Sequence, residues 1–309
     1  QPLRAYNVGP NALLMNFKVV RYWFEPNGEA VEVRLDPQLH NLRVDNRLGT
    51  RKGYCGGYQR GIAVSMNGNN DEVVFSGRFP DGCKRYAMDR TALTHNEFAY
   101  GLFRSLWEDS GGVIDGGWRN ATVDEDAEPL FSFESPPLTD IISSVIKHSN
   151  NVMARQVLFT LAAEELGPPG TEQGGREVIS TWLEDNGLKT EAIFLENGAG
   201  LSRESRITAK AMSSLLTFAW KQPYMPEYLA SMSLSGLDGT LLRRFRRTDL
   251  VGKAHLKTGS LDHVTAIAGY LQARSGRRFA VVALQNHEDI HRGPGEEVQE
   301  ALLRWLYEQ

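Results

Sequence analysis

HLKTGSLDHVTAIAGYLQARSGRRFAVVALQ, residues 255–285, is the stretch in which the hydrophobic period of this chain changes. His255 to Ser260, Val264 to Ala273 and Arg278 to Gln285 each carry apolar and β-branched residues at strand spacing, and Ser275-Gly276 is a turn between the last two. Three strands joined this closely predict an antiparallel meander. Downstream, Glu296 to Tyr307 reads as a closing helix. Upstream the spacing is helical instead: Leu138 to Lys147, Val152 to Leu166 ended by Gly167, Gly175 to Asn186 ended by Gly187, and Ala209 to Trp220. A helical block followed by a meander under a terminal helix is an α+β layout.

Further toward the N-terminus, residues 121–137 are acidic and end Glu134-Ser135-Pro136-Pro137, which suits a connection between domains. The boundary is placed near residue 125, giving units 1–125 and 126–309. Before it, Phe98, Leu102 and Leu106 repeat at helical spacing between His95 and Asp109, and Gly111-Gly112 ends that helix. Residues 11–87 read as a β-rich module, with strands at Leu13 to Val20, Val31 to Leu35, Ile62 to Met66 and Glu72 to Phe75, and a turn at Gly68 to Asp71. Cys55 precedes one strand of that last hairpin and Cys83 follows its partner. Pairing of the two strands brings the sulfurs together, so a Cys55–Cys83 disulfide is expected, with two buried free thiols as the alternative.

Composition narrows the function classes. The chain has 309 residues, about twice a typical domain, and 34 Lys+Arg against 38 Asp+Glu leave a net charge of -4. That balance argues against a protein that binds by neutralising phosphates, so nucleic acid is not expected as a partner. No run of about eighteen apolar residues exists, so no membrane-spanning helix is expected. The chain begins Gln1-Pro2 with no basic and apolar leader, so a signal peptide is either already removed or was never in this piece.

Four local patterns point to chemistry. In Lys257-Thr258-Gly259-Ser260 an ammonium and a hydroxyl can bind a carboxylate. Gly259 leaves room for a peptide alongside, and the Ser260 amide can face an oxyanion. Ser149-Asn150-Asn151 lies between two predicted helices, where Ser149 or Asn150 also serves as an ordinary helix cap. The other two are the loop Glu196-Asn197-Gly198-Ala199-Gly200-Leu201-Ser202-Arg203 and the turn Gly236-Leu237-Asp238-Gly239-Thr240-Leu241.

In this order S-x-N, ENGAGLSR, GLDGTL and KTGS, with FESPPLTDIISSVIKHSNNVMARQVL around Ser149, resemble the low-molecular-mass class C penicillin-binding proteins, D-alanyl-D-alanine carboxypeptidases and endopeptidases. The resemblance covers essentially the whole chain. It implies a serine DD-peptidase/β-lactamase-like domain of α+β type, with residues 1–125 as an inserted accessory module. It implies peptidoglycan stem peptides ending in D-Ala-D-Ala as substrate, β-lactam antibiotics as ligands, no metal or cofactor, and a bacterial periplasmic location. Ser149 would relay a proton to the leaving D-alanine nitrogen, and Asn151 would hold the substrate amide. Lys257 and Thr258 would bind the terminal carboxylate beside Gly259, with the Ser260 amide in the oxyanion hole.

The family's third motif, S-x-x-K, supplies the attacking serine, and by resemblance it lies before Gln1, on a cleaved or separate N-terminal segment. The only S-x-x-K here is Ser144-Val145-Ile146-Lys147. On a helix continuing to Ser149, a five-residue step turns the two serines about 140 degrees apart, which leaves Lys147 as an ordinary solvated side chain. This chain then reads as the substrate-recognition part of the enzyme. Rival readings are a non-catalytic binding module on the same fold, a serine β-lactamase or esterase, and a zinc peptidase. The last rests on His287-Glu288-Asp289-Ile290-His291, which matches HExxH but directly follows a strand and meets Gly293-Pro294 two residues later. A loop is expected there.

Overall fold

The computed structural model describes residues 4–57 and 61–309. Contacts divide the chain into two compact units that meet in sequence at Leu130 and Phe131.

Among the described residues, the first unit holds a six-stranded sheet and one α-helix. Its strands are β1 (Val19–Asn27), β2 (Ala30–Asp36), β3 (Arg43–Arg51), β4 (Ile62–Met66), β5 (Glu72–Pro80) and β6 (Tyr86–Thr91), in the order β4-β5-β3-β2-β1-β6, and α1 (His95–Asp109) follows. All neighbours are antiparallel except β3 and β5. Period-two alternation sends Val20, Tyr22 and Phe24 of β1 inward, where Phe75 meets Tyr22 and Phe24 edge-on with centroids 5.0 Å apart. Fully burying one such side chain contributes about 1.5–3 kcal/mol. Helix α1 starts at a capping box between Thr94 and Glu97. Cys55 and Cys83 are joined as a disulfide.

One sequence expectation changes here, and two strands are added to those expected. Leu13 to Lys18 is not strand: Asn16, Phe17 and Lys18 take left-handed backbone angles, and pairing begins only at Val19. The strands β3 and β6 escaped the apolar pattern because Arg and Asp interrupt their apolar positions; Arg21 on β1 pairs with Asp89 on β6 at the solvent face.

The second unit contains α2 (Leu138–His148), α3 (Asn151–Leu166), α4 (Glu172–Asp185), β7 (Ile193–Phe194), β8 (Arg206–Ile207), α5 (Ala209–Ala219), α6 (Met225–Ser231), β9 (Ser233–Leu234), β10 (Ala254–Leu261), β11 (Val264–Gln272), β12 (Arg278–Asn286) and α7 (Pro294–Tyr307). The antiparallel sheet runs β12-β11-β10-β9. Leu256, Ile267, Leu271 and Val281 pack under Leu303 and Tyr307 of α7 and against Leu241, Phe245 and Leu250 of the preceding loop. Gln299 of α7 is buried and fully used, donating to Thr265 Oγ1 at 3.2 Å and Gln285 Oε1 at 3.0 Å. A second cluster joins Leu216 of α5 to Met225, Met232 and Tyr270. The two-residue β9 pairs with β10 only at His255 and Leu256. From Lys257 onward no described strand covers that edge.

Candidate active site

The helix expected to run through Ser149 breaks there. Ser149 takes left-handed angles (φ 51°, ψ 48°), and Asn150 starts the next helix by accepting from the Met153 N–H at 3.1 Å. The capping reading therefore belongs to Asn150 and not to Ser149, whose side chain is left for another purpose. It accepts a hydrogen bond from Lys257 Nζ, more than a hundred residues away on β10. The same ammonium donates to the Thr258 carbonyl at 2.7 Å.

Ser149, Asn151 and Lys257 line one cavity of about 230 Å³ with Val145, Ile146, Tyr228, Met232, Gly198 and Ala199. The glycine loop thus forms one wall. It is stiffened by Asn197, which donates to the Leu201 carbonyl at 3.0 Å and accepts from the Ala199 amide at 3.0 Å. Arg203 ties the loop to the β10–β11 turn by donating to the Asp262 carbonyl at 2.8 Å.

Burial pushes the Lys257 ammonium below the usual lysine range, and no carboxylate among the described residues pairs with it. A partly desolvated cation without a counter-ion, facing a cavity, is suited to take an anion. Gly259 and Ser260 lie exposed on the uncovered edge of β10. A Cβ added at Gly259 would meet only Ala266 Cβ, at 3.7 Å, so the edge is open to an extended peptide.

The GLDGTL turn connects the two motifs. Thr258 Oγ1 donates to Thr240 Oγ1 at 2.9 Å, and Ser233 Oγ lies 3.3 Å from Thr240 Oγ1 while donating to the Lys147 carbonyl at 3.4 Å. Lys147 is not a solvated side chain, contrary to the sequence expectation. Its Nζ donates to the Asp238 carboxylate and to the Met232 carbonyl at 3.1 Å. Burial raises the Asp238 carboxyl, but the Lys147 hydrogen bond and the Leu234 amide outweigh it and hold the group below the usual aspartate range. Ser144 is exposed, so Ser144 and Lys147 do not form a nucleophile pair. Sequence reading flagged the GLDGTL turn without assigning roles to Asp238 or Thr240, and it missed Ser233 and Tyr228. Only the folded chain brings Ser233 beneath Thr240.

The HExxH residues do not form a helical metal motif. His287 ends the strand region, Asp289 is left-handed, and only Ile290–Arg292 make a short 3-10 turn. His291 Nδ1 accepts from the His263 N–H at 2.9 Å instead.

Comparisons with known proteins agree with this architecture. A family model described as the D-Ala-D-Ala carboxypeptidase 3 (S13) family matches residues 3–309. A D-alanyl-D-alanine carboxypeptidase of Actinomadura sp. (strain R39) is 28% identical over 297 residues, covering 90% of this chain and 54% of that protein. The D-alanyl-D-alanine carboxypeptidase DacB of Haemophilus influenzae is 29% identical over 154 residues, covering 49% of this chain and 32% of that protein. The chain thus spans about half, or less, of the length of these curated relatives. In the crystal structure of penicillin-binding protein 4 (dacB) from Haemophilus influenzae the same fold recurs, with a TM-score of 0.83 at 21% identity over 99% of this chain and 70% of that one. A second structure of that protein, complexed with a novel β-lactam, gives a TM-score of 0.81. The α+β fold is therefore that of a penicillin-binding protein, and the chain belongs to the D-Ala-D-Ala carboxypeptidase 3 (S13) family.

Proposed function

We propose that this chain is the substrate-anchoring part of a serine-type D-alanyl-D-alanine carboxypeptidase acting on peptidoglycan stem peptides, with the attacking serine outside these 309 residues. The observation that carries this reading is Lys257: a half-buried ammonium with no carboxylate partner, bonded to Ser149 at the mouth of a cavity on an open strand edge. The peptide lies antiparallel along Lys257 to Leu261, its terminal carboxylate toward Lys257 and the Thr258 hydroxyl, and its amide toward Asn151. Because Lys257 donates to Ser149 Oγ, the Ser149 proton is free to point into the cavity. As the peptide bond breaks, Ser149 gives that proton to the departing D-alanine nitrogen and takes one from Lys257, and the proton released by the attacking serine as it bonds the carbonyl carbon returns to Lys257, which keeps charge and protons balanced. The Ser260 amide supports the oxyanion.

Chemistry through an acyl-enzyme, acylation by β-lactam antibiotics, a contribution to endopeptidase cleavage, and a periplasmic location belong to the same proposal, as does the role of the first unit as an accessory module. The test is calorimetric titration of the chain with an acetylated peptide ending in D-Ala-D-Ala and with its L-Ala-L-Ala isomer. Saturable binding of the D,D peptide, lost in Lys257→Ala, is expected. Equal binding of both isomers, or binding indifferent to Lys257, overturns the proposal.

A further inference from the structure

Thr258, assigned above to the substrate carboxylate, spends its hydroxyl proton elsewhere in the free chain: it donates to Thr240 Oγ1 at 2.9 Å. Thr240 stands over the fully buried Ser233, with its own N–H donating to Ser233 Oγ at 3.1 Å. Ser233 in turn donates to the Lys147 carbonyl. A carbonyl only accepts, so the polarity of this chain of hydroxyls is set at its buried end. With the Ser233 proton on Lys147, the Thr240 proton goes to Ser233 and the Thr258 proton to Thr240. All three point inward, and Thr258 shows only lone pairs to the cleft. An arriving carboxylate would meet an acceptor.

A single rearrangement removes that conflict. Thr240 rotates its O–H from Ser233 to Thr258, and Thr258 rotates its own outward. Ser233 remains satisfied, because the Thr240 N–H still donates to it and the Lys147 carbonyl keeps its donor. No buried polar group is orphaned in either setting, so neither carries the penalty of an unmade hydrogen bond. Resting on the carboxypeptidase reading, we infer that Thr240 is a positioning residue whose hydroxyl switches Thr258 from acceptor to donor when a substrate carboxylate binds, with buried Ser233 as the fixed end of the relay.

The experiment is titration of the 309-residue chain and its variants with the acetylated D-Ala-D-Ala peptide. Thr240→Val keeps the side-chain shape and removes the hydroxyl; affinity falls about five-fold, the loss of one ordinary hydrogen bond. Thr240→Ser, which keeps the hydroxyl, binds within about two-fold of the unmodified chain. Because Thr240 acts through Thr258, the Thr240→Val, Thr258→Val double variant binds no more weakly than Thr258→Val alone. Additive losses, or a serine variant as weak as the valine one, overturn the inference and leave the functional reading standing. Absence of saturable binding by the unmodified chain overturns the reading and the inference with it.

Discussion

Gly239→Ala tests whether the GLDGTL turn holds the two halves of the site together. Gly239 sits at φ +53°, and a Cβ built there lies 2.2 Å from Ser233 Oγ and 2.8 Å from the Lys147 carbonyl oxygen. The left-handed conformation costs an alanine about 1 kcal/mol on its own. Relieving the overlap requires Ser233 to leave its place, and because that residue is fully buried and receives the Thr240 amide, the loss adds about 1–3 kcal/mol. The sum is about 2–4 kcal/mol. Gly276→Ala is the matched control: its φ is +86°, but no atom lies within 4 Å of the added Cβ, so only the conformational part of about 1 kcal/mol remains. Urea unfolding of both variants gives the difference directly, provided the slope is unchanged. Peptide binding weakens in Gly239→Ala and not in Gly276→Ala. Equal destabilisation by the two substitutions would refute the close approach of the turn to Ser233 and Lys147.

Three further outcomes follow from the geometry. Lys257→Met weakens binding of the D-Ala-D-Ala peptide by at least about 30-fold, a carboxylate anchor of about 2 kcal/mol, while the urea midpoint stays the same or rises because a half-buried ammonium without a carboxylate partner is removed; a lower midpoint with unchanged affinity contradicts this. Asp238→Asn destabilises the chain by about 1 kcal/mol at pH 7, a modest figure because the carboxylate is 41% exposed. Since the folded-state pKa of Asp238 is depressed, its stabilisation is present above the unfolded value of about 4 and fades as pH falls through the folded one, so wild type and variant converge in acid; a difference that persists at pH 2 argues against the ion pair. Replacing Cys55 and Cys83 by serine removes a cross-link spanning 28 residues and lowers the stability of the first unit by about 3 kcal/mol, read by its unfolding midpoint with and without reductant.

The second unit was largely legible in the sequence, because strands at 255–285 and helices from Leu138 onward carry undisguised periods; β10, β11 and β12 begin and end within about a residue of the run of apolar positions. The first unit was less so. Its strands β3 and β6 present Arg and Asp to solvent, and the left-handed Asn16-Phe17-Lys18 turn interrupts a run that looks continuous in one dimension. At the site, residue types chosen for their chemistry were placed together: Ser149 and Lys257 meet although separated by 108 positions. What the sequence hid was the support beneath them. Ser233 looks like any serine, and Lys147 looks like a surface residue on a helix, until folding sets one under Thr240 and pairs the other with Asp238. The break at Ser149 was likewise invisible to a period count, since a single left-handed residue changes the direction of a helix without changing its composition.

The central claim is that Ser149 serves as a proton relay and carboxylate-site neighbour, with the attacking serine elsewhere. Intact-mass spectrometry of the denatured protein before and after incubation with benzylpenicillin, followed by peptide mapping, tests it most directly. The account predicts that the mass of one penicillin is gained by a polypeptide segment outside these 309 residues, while this chain keeps its own mass. An adduct on Ser149 would contradict the account and make Ser149 and Lys257 themselves the nucleophile and base.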